Sequence, residues 1–242
     1  MQFVIDTHTH TVASGHGYST AQENFISGEK NGMKAIGLSD HSVLMPGGAA
    51  AFHFACLDIL PSYINGVKLY KSIELNILDE NGAIDNYDTN IDCYLCNITD
   101  YAIASLHPPC INPQGLNATK ALINVMNHKE INILGHLGDP RYKFDVNEVV
   151  KCAVDTNTAI ELNDKSLIKG HMRYDAEFTS EILEAVIKYG AFITFGSDAH
   201  YCDDVGNFSH ILEFIKDYTI DESKLLCTSL EKFEQFIGSK RS

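Results

Sequence analysis

The chain has 242 residues, with 18 basic and 32 acidic side chains, so its formal net charge is −14 when the histidines are neutral. Hydrophobic residues make up 45%, charged residues 21%, and the mean hydropathy is −0.09, a soluble composition that excludes a disordered tail, a fibrous repeat and a membrane protein. The pI of about 5.1 gives a field that repels phosphodiesters, which disfavours nucleic acid as a partner.

Short β-rich runs alternate with longer amphipathic runs from one end of the chain to the other. The predicted strands cover residues 3–6, 35–39, 68–73, 101–105, 131–134, 159–162 and 192–195. The predicted helices cover residues 20–32, 118–128, 146–155 and 180–189, and the segment 76–97 is predicted to form a turn or a short hairpin. Ser19 or Thr20 ahead of Glu23, and Asp145 ahead of Glu148, form helix N-cap patterns.

This alternation indicates repeated βα units and a parallel sheet. No internal repeat, low-complexity tract or long Pro/Gly-rich linker divides the chain, so we expect a single domain over residues 1–242. Seven or so βα units in this length fit a closed (β/α) barrel, which needs roughly 200 residues or more. An open, doubly wound sheet is the alternative architecture.

Histidines and acidic residues lie at or just beyond the carboxyl ends of the predicted strands. They are His8, His10, His41, Glu74, His107, His136, Asp198 and His200, and His16 lies in the first βα loop. In a (β/α) barrel these ends meet on one face, where the active sites of this architecture lie. Imidazoles packed together without a metal would leave buried donors and acceptors unmatched, whereas neutral imidazole and carboxylate are ligands of divalent ions. The set therefore predicts a metal centre.

The number of candidate ligands bears on the number of ions. Nine side chains exceed the three or four protein ligands that a single zinc site uses. A bridging carboxylate lets two ions lie about 3.5–4 Å apart, and Glu74 is the best candidate because it is the lone carboxylate on the third predicted strand. Two ions are nearly required by this count, and three are compatible with it.

Basic residues in loops on the same face are candidates for binding phosphate. Arg141 and Lys143 follow His136, and Lys169 and Arg173 follow the strand predicted over 159–162. Because a guanidinium group can hold a phosphate by two parallel hydrogen bonds, Arg141 and Arg173 are the predicted substrate-binding residues. A solvated loop charge is the alternative interpretation for each of the four.

The cysteines and the amino terminus bear on the compartment. The seven cysteines are odd in number and scattered, which is not the pattern of a disulfide framework, and Cys93 and Cys96 form a CxxC pair that no second pair follows. We interpret them as reduced thiols. The opening MQFVID lacks the apolar run of a signal peptide, and no segment reaches the roughly 20 apolar residues of a membrane span. These features predict a cytoplasmic protein without a membrane partner.

The motifs that contain the candidate ligands resemble a known family. They are DTHTH, SGHGYST, LSDH, SIELN, SLHPP, LGHLGDP and GSDAH, and in this order they are similar to those of the PHP (polymerase and histidinol phosphatase) family. The run HTHTVASGHGYST is especially similar to the YcdX-like phosphatase branch, and the likeness continues to about Leu230. The resemblance implies a distorted (β/α)7 TIM-like barrel with three divalent ions, zinc first, with manganese or iron as alternatives.

The resemblance also implies how the ligands divide among the three ions. One ion would be held by His8, His10, Glu74 and Asp198, the second by Glu74, His107 and His136, and the third by His16, His41 and His200. Nine protein ligands over three ions leave coordination positions open, which favours chemistry over a closed structural site.

The implied activity is hydrolysis of a small phosphate monoester. A hydroxide that bridges the ions would attack phosphorus directly, and Glu74, Asp198 and His200 are the predicted catalytic residues. Three alternatives stay open: a PHP-type exonuclease or phosphodiesterase, a hydrolase of a non-phosphate bond such as an amide, and a non-catalytic metal-binding module. The sequence leaves the oligomeric state open.

Overall fold

The fold is that of a computed structural model, which describes residues 2–90 and 93–241. The strands are β1 (Ile5–Thr9), β2 (Ala35–Leu38), β3 (Tyr63–Ile64), β4 (Val67–Asn76), β5 (Tyr87–Asp88), β6 (Cys93–Tyr94), β7 (Tyr101–Ser105), β8 (Ile131–Leu134), β9 (Ala159–Asn163) and β10 (Ile193–Gly196). The α-helices are α1 (Ala21–Lys30), α2 (Ala51–Ala55), α3 (Ala118–Met126), α4 (Val146–Asp155), α5 (Ala176–Tyr189), α6 (Ser209–Ile215) and α7 (Leu230–Arg241).

The main sheet is a parallel barrel with helices between its strands. Its strand order is β1-β2-β4-β7-β8-β9-β10, and β3 adds an antiparallel partner to β4. The two ends of this order meet, because Asp198 N donates to His8 O at 2.8 Å and His10 N donates to Ala199 O at 2.8 Å. The register shifts between β1 and β2 and between β7 and β8, so the barrel is distorted. The predicted fold class is confirmed.

Two of the predicted strands are longer than the sequence indicated. β1 reaches Thr9 instead of ending at residue 6, and β4 reaches Asn76 instead of ending at residue 73. Polar residues were taken to mark the strand ends, but His8 and Glu74 lie inside their strands and are fully buried. A strand can contain such residues because alternate side chains share one face, and here that face is a polar centre inside the barrel.

The predicted helices form with small changes at their ends. Thr20 and Glu23 make the reciprocal capping box of α1, as the sequence predicts. α5 begins four residues earlier than predicted because the Asp175 side chain accepts a hydrogen bond from Phe178 N and caps it there. In the segment predicted as a hairpin, the short strands β5 and β6 pair in an antiparallel manner.

An aromatic cluster packs α7 against the barrel. The Phe233 ring lies 5.1 Å from that of Tyr70 and 5.2 Å from that of Tyr101, and Phe233 and Tyr101 are fully buried. The Tyr101 hydroxyl donates to Thr7 O at 2.6 Å, which ties β7 to β1 across the barrel. Gly37 makes room for this contact, since a Cβ there would lie 1.7 Å from the Tyr101 hydroxyl oxygen.

Five cysteines in the described part of the chain are free thiols: Cys56, Cys110, Cys152, Cys202 and Cys227. The side chain of Cys93 lies outside the described residues, so the interpretation of the Cys93–Cys96 CxxC motif as two reduced thiols stays a prediction. None of the described helices combines the length and the apolar character that crossing a bilayer requires.

Candidate metal centre

The structure brings the predicted ligands together at the carboxyl ends of the barrel strands. Most of them are buried: His8, His10, His41, Glu74, His107, His136 and Asp198. His200 is partly buried and His16 is exposed at the rim, where its ring lies 4.6 Å from that of His200 and 5.0 Å from that of His41. The convergence expected from strand ends is therefore present in the fold.

Glu74 lies at the middle of this group and uses both of its carboxylate oxygens. Oε1 is 2.9 Å from His136 Nε2 and 3.2 Å from His107 Nε2. Oε2 is 2.6 Å from His41 Nδ1 and 3.4 Å from His8 Nε2. A carboxylate placed between two sets of imidazoles has the position that a bridging ligand requires.

Two histidines on β1 and in the loop after it are oriented by oxygens on their outer side. His8 Nδ1 donates to Glu161 Oε1 at 2.7 Å. His10 Nδ1 lies 2.9 Å from the hydroxyl oxygen of Ser14, which donates its own proton to Asp40 Oδ1 at 2.7 Å and so accepts from the imidazole. Both rings are thereby held with Nε2 directed inward, and Nε2 is the nitrogen left to bind an ion when the imidazole is neutral.

The same arrangement recurs on the other side of the centre. His107 Nδ1 is 2.7 Å from Asn76 Oδ1, and the Asn76 amide is fixed by donating to Asp85 Oδ2 at 2.6 Å. His200 Nδ1 donates to the backbone carbonyl of Asp198 at 2.9 Å. These bonds also leave Nε2 of each ring as the inward-facing, unprotonated nitrogen.

The inward-facing atoms fit divalent ions. His8 Nε2 and His10 Nε2 lie 3.1 Å apart, a separation at which both nitrogens can coordinate one cation placed between them. Glu74 Oε2 and His41 Nδ1 lie 2.6 Å apart, but these two buried atoms and His200 Nε2 have no hydrogen-bond partner of acceptable geometry among the described residues. Buried lone pairs of this kind are costly unless a ligand satisfies them.

Electrostatics keep four of the ligands, His10, His107, Asp198 and His200, in the form that binds metal. Burial lowers the pKa of His107 and of His200 to about 4, so both are neutral at pH 7. Burial also holds the pKa of His10 well below its ordinary value. Burial by itself would raise the pKa of Asp198, but the Arg173 guanidinium outweighs it and holds that pKa well below the usual range. Metal ligands must be deprotonated, and these four are. Burial by itself would lower the pKa of His8, but the neighbouring carboxylates Glu161 and Glu74 outweigh it and raise that pKa well above its ordinary value, so an ion must displace a proton from His8.

Backbone strain is concentrated at the same place. His136 and Asp198 are non-glycine residues with φ of 33° and 54°, a left-handed conformation that costs free energy and is common at functional sites. Gly196 lies beside them without a side chain because a Cβ there would be 2.1 Å from Glu161 Oε1. The local backbone is therefore shaped around the ligands.

The ligand atoms form three overlapping groups within the described residues. These groups are His10, His41 and His200; His8, His10 and Asp198; and His41, Glu74 and His107. They share members, and they do not divide the side chains as the family resemblance implies. The assignment of ligands to individual ions therefore stays a prediction.

A cavity of about 510 Å³ opens onto the centre. Its cationic lining comprises Arg141, Lys165 and Arg173, and two carboxylates, Asp139 and Asp198, accompany them. The Asp139 carboxylate binds Nε of Arg141 at 2.9 Å and its Nη2 at 2.5 Å, and Arg173 Nη2 donates to Asp198. Both predicted arginines thus lie at the cavity, each already paired with a carboxylate.

The other residues considered as phosphate ligands lie elsewhere. Lys143 is exposed and forms an ion pair with Asp175 at 2.6 Å, and Lys169 is exposed in the loop after β9. Neither lines the cavity within the described chain. Sequence position put them on the correct face, but side-chain direction takes them away from it.

Sequence reasoning missed several residues of the site, among them Ser14, Asn76, Glu161 and Lys165. Glu161 is buried and accepts bonds from His8 Nδ1 and, at 2.7 Å, from His136 N. Lys165 lines the cavity beside His200. Glu161 could have been predicted from the sequence. It lies two positions before Asn163 at the end of a strand, and alternate strand residues point to the same face. Lys165 had no such signal.

Comparisons with known proteins agree with this geometry. No protein-family model matches the chain. The chain is 39% identical over 242 residues to a probable phosphatase of Vibrio parahaemolyticus, covering 98% of this chain and 93% of that protein. It is 36% identical over 244 residues to a probable phosphatase of Caldanaerobacter subterraneus, covering 100% of this chain and 93% of that protein.

A solved structure supports the same fold. The chain is similar to a histidinol phosphate phosphatase of Lactococcus lactis complexed with zinc, L-histidinol and phosphate, with a TM-score of 0.63 and 16% identity, covering 90% of this chain and 94% of that one. The chain belongs to the PHP family of phosphatases. This PHP phosphatase is a hydrolase, and the predicted enzyme class and family are confirmed.

Proposed function

We propose that this PHP phosphatase hydrolyses small-molecule phosphate monoesters at a centre of three divalent ions, zinc first, with manganese or iron as alternatives. The observation that carries the proposal is the close approach of imidazole nitrogens around Glu74, next to a cavity whose lining includes three basic side chains. A cavity of about 510 Å³ is of the size that holds one small molecule.

We assign the ligands as the family resemblance implies. One ion takes His8, His10, Glu74 and Asp198, the second takes Glu74, His107 and His136, and the third takes His16, His41 and His200. When bound, such ions lower the pKa of water and neutralise phosphoryl oxygens.

The side chains of this enzyme supply the positioning. Asp198 and His200 line the cavity, next to the place of the reacting phosphoryl group, whereas the buried Glu74 joins the ligand groups. Arg173, beside Asp198, and Arg141, whose Nη1 stays available beyond the Asp139 contact, bind phosphoryl oxygens. These contacts orient the ester for in-line attack.

Further features of the chain belong to the same proposal. We propose that residues 1–242 form a single PHP metallohydrolase domain, which the continuous sheet order from β1 to β10 supports. The run HTHTVASGHGYST supports placement in the YcdX-like branch, and the free thiols support a cytoplasmic location.

The test combines metal analysis with a matched pair of substrates. We expect two to three ions per chain by elemental analysis, and hydrolysis of p-nitrophenyl phosphate that chelation abolishes and zinc or manganese restores. Bis(p-nitrophenyl) phosphate, which has the same leaving group, should turn over at least tenfold more slowly. Faster hydrolysis of the diester would favour the phosphodiesterase alternative. Full metal content without hydrolysis of either compound would favour the non-catalytic module.

A further inference from the structure

The cavity has one cation that stands apart from the others. Arg141 and Arg173 are each paired with a carboxylate, whereas Lys165 forms no salt bridge within the described part of the chain. Lys165 is partly buried in the turn after β9 and lines the cavity. A partly buried ammonium group without a counter-ion is an unfavourable arrangement unless an anion binds there.

The polar atom that Lys165 contacts on His200 cannot serve as its acceptor. Lys165 Nζ lies 3.4 Å from His200 Nδ1, but that nitrogen already donates its proton to the Asp198 carbonyl at 2.9 Å. Two donors therefore face each other, and the three protons of the ammonium group have no protein acceptor at this contact. An anionic oxygen in the cavity would supply one.

The position of Lys165 relative to the imidazole separates it from the metal-binding side. His200 Nε2 is the atom that groups with His10 and His41, and Nδ1 is on the other edge of the ring. Lys165 is at that outer edge, whereas Arg173 is bonded to the proposed ligand Asp198 itself. Arg173 is thus placed for the reacting phosphoryl group and Lys165 for a different part of the substrate.

The described cavity lining also has no acidic group available for a cationic substrate. Its two carboxylates, Asp139 and Asp198, are both bonded to arginines. The cavity lining also has apolar residues, which include Met45, Leu106 and Pro108. An ammonium group on the substrate would meet cations or hydrocarbon, and either contact is unfavourable.

From this charge arrangement, and resting on the proposed function, we infer that the substrate carries a second anionic group, a carboxylate or a further phosphate, on its leaving group, and that Lys165 binds it. Lys165 is then a residue that determines specificity, and phosphate esters with an amine at that position are poor substrates.

Binding of three phosphonates that resist hydrolysis tests this inference. We would titrate the zinc-loaded enzyme calorimetrically with propylphosphonate, 3-phosphonopropanoate and 3-aminopropylphosphonate, which share a three-carbon chain and differ in terminal charge. One charge-assisted contact corresponds to about a tenfold change in Kd. We expect 3-phosphonopropanoate to bind about tenfold more tightly than propylphosphonate, and the amine to bind most weakly.

Variants identify the cation that is responsible. Lys165→Met should bring the Kd ratio of 3-phosphonopropanoate to propylphosphonate close to one, and Lys165→Glu should shift the preference toward the amine. Lys151→Met, on the exposed face of α4, is the matched control and should keep the wild-type ratio. Metal content and thermal melting of each variant verify folding. The expected order of the three phosphonate affinities is measured on the wild-type enzyme, so that part of the test does not depend on any variant folding.

The outcomes separate this inference from the proposed function. Equal affinity of the three phosphonates for the wild type, or no binding of any, overturns the inference, as does a preference that survives in both Lys165 variants. Hydrolysis of aryl phosphate without a charge preference leaves the phosphatase proposal intact. Charge-selective binding without hydrolysis of any ester overturns the phosphatase proposal alone.

Discussion

At the scale of single residues, the function of the centre depends on groups one step away from the ligands. His8, His10 and His107 each have Nδ1 held by an oxygen, so that Nε2 is aimed inward and is the nitrogen left to bind an ion. Without these bonds each imidazole could adopt either tautomer and rotate. Ordering the ring when an ion binds would then cost free energy and weaken metal binding. Fixing the tautomer is a recurrent feature of metal-binding histidines.

Glu161 gives the sharpest residue-scale prediction. Glu161→Gln replaces the charged acceptor of His8 Nδ1 and of His136 N by a neutral amide, so the metal affinity should fall about 10- to 100-fold. Competition titration with a chelator measures this change, and circular dichroism verifies that the barrel is intact. Glu181→Gln, an exposed glutamate on α5, is the control. An unchanged metal affinity in Glu161→Gln would show that the His8 contact is not needed for orientation.

At the scale of secondary-structure elements, the closure of the barrel positions the site. β1 and β10 are joined through hydrogen bonds made by the ligand-bearing segments themselves, Asp198 N to His8 O and His10 N to Ala199 O. The hydrogen bonds that close the sheet therefore also fix the distance between the first and last ligands. α7 packs against β4 and β7 through Phe233, whose ring contacts those of Tyr70 and Tyr101.

The last turn of α7 gives a prediction about pH. Burial lowers the pKa of Lys240, whose ammonium group donates to Thr158, to about 8, against 10.5 for a free lysine. Below about pH 8 the lysine is charged in both states, and folding carries the full cost of burying the charge. Between pH 8 and 10.5 the unfolded chain binds more protons, so the free energy of unfolding should rise with pH.

Urea unfolding of the wild type and Lys240→Met between pH 7 and 10 measures this effect. The difference in unfolding free energy should be largest in favour of the methionine variant at pH 7 and should shrink as the pH approaches 10. Lys188→Met, on an exposed position of α5, should run parallel to the wild type. If the difference in unfolding free energy between Lys240→Met and the wild type did not vary with pH, the lowered pKa of Lys240 would be contradicted.

At the scale of the whole molecule, stability and metal binding are coupled. The centre places lone pairs and carboxylates inside a barrel whose formal net charge is −14, so bound cations relieve both local and overall repulsion. A ligand that binds the folded state at about 1,000 times its Kd stabilises it by about 4 kcal/mol.

Metal removal should therefore lower the melting temperature. For a chain of this size, such a loss corresponds to a decrease in Tm on the order of 10 °C. Scanning calorimetry with and without a chelator measures the decrease, and added zinc should reverse it. The chelator saturated with zinc beforehand is the control. A Tm that does not respond to chelation would mean that the buried imidazoles are satisfied without ions.

Much of the fold and the ligand set follows from the sequence because their signals are local. A β-rich run followed within a few positions by His, Asp or Glu can be read from consecutive residues, as in the segments ending at His107 and His136. Parallel strands in a barrel bring their carboxyl ends to one face, so the convergence follows from the repeated βα pattern. Strand ends were less predictable, because Glu74 and His8 are polar residues inside strands.

The sequence by itself determined the barrel class, the ligand types and the face on which they meet. Only the tertiary structure decided how the charges pair: Glu161 with His8 across 153 positions, Arg173 with Asp198, and Lys165 without a carboxylate among the described residues. The physical reason is that hydrogen bonds and ion pairs depend on distances of about 3 Å between atoms far apart in the chain. Closing the barrel sets those distances, and they cannot be predicted from patterns of neighbouring residues in the sequence.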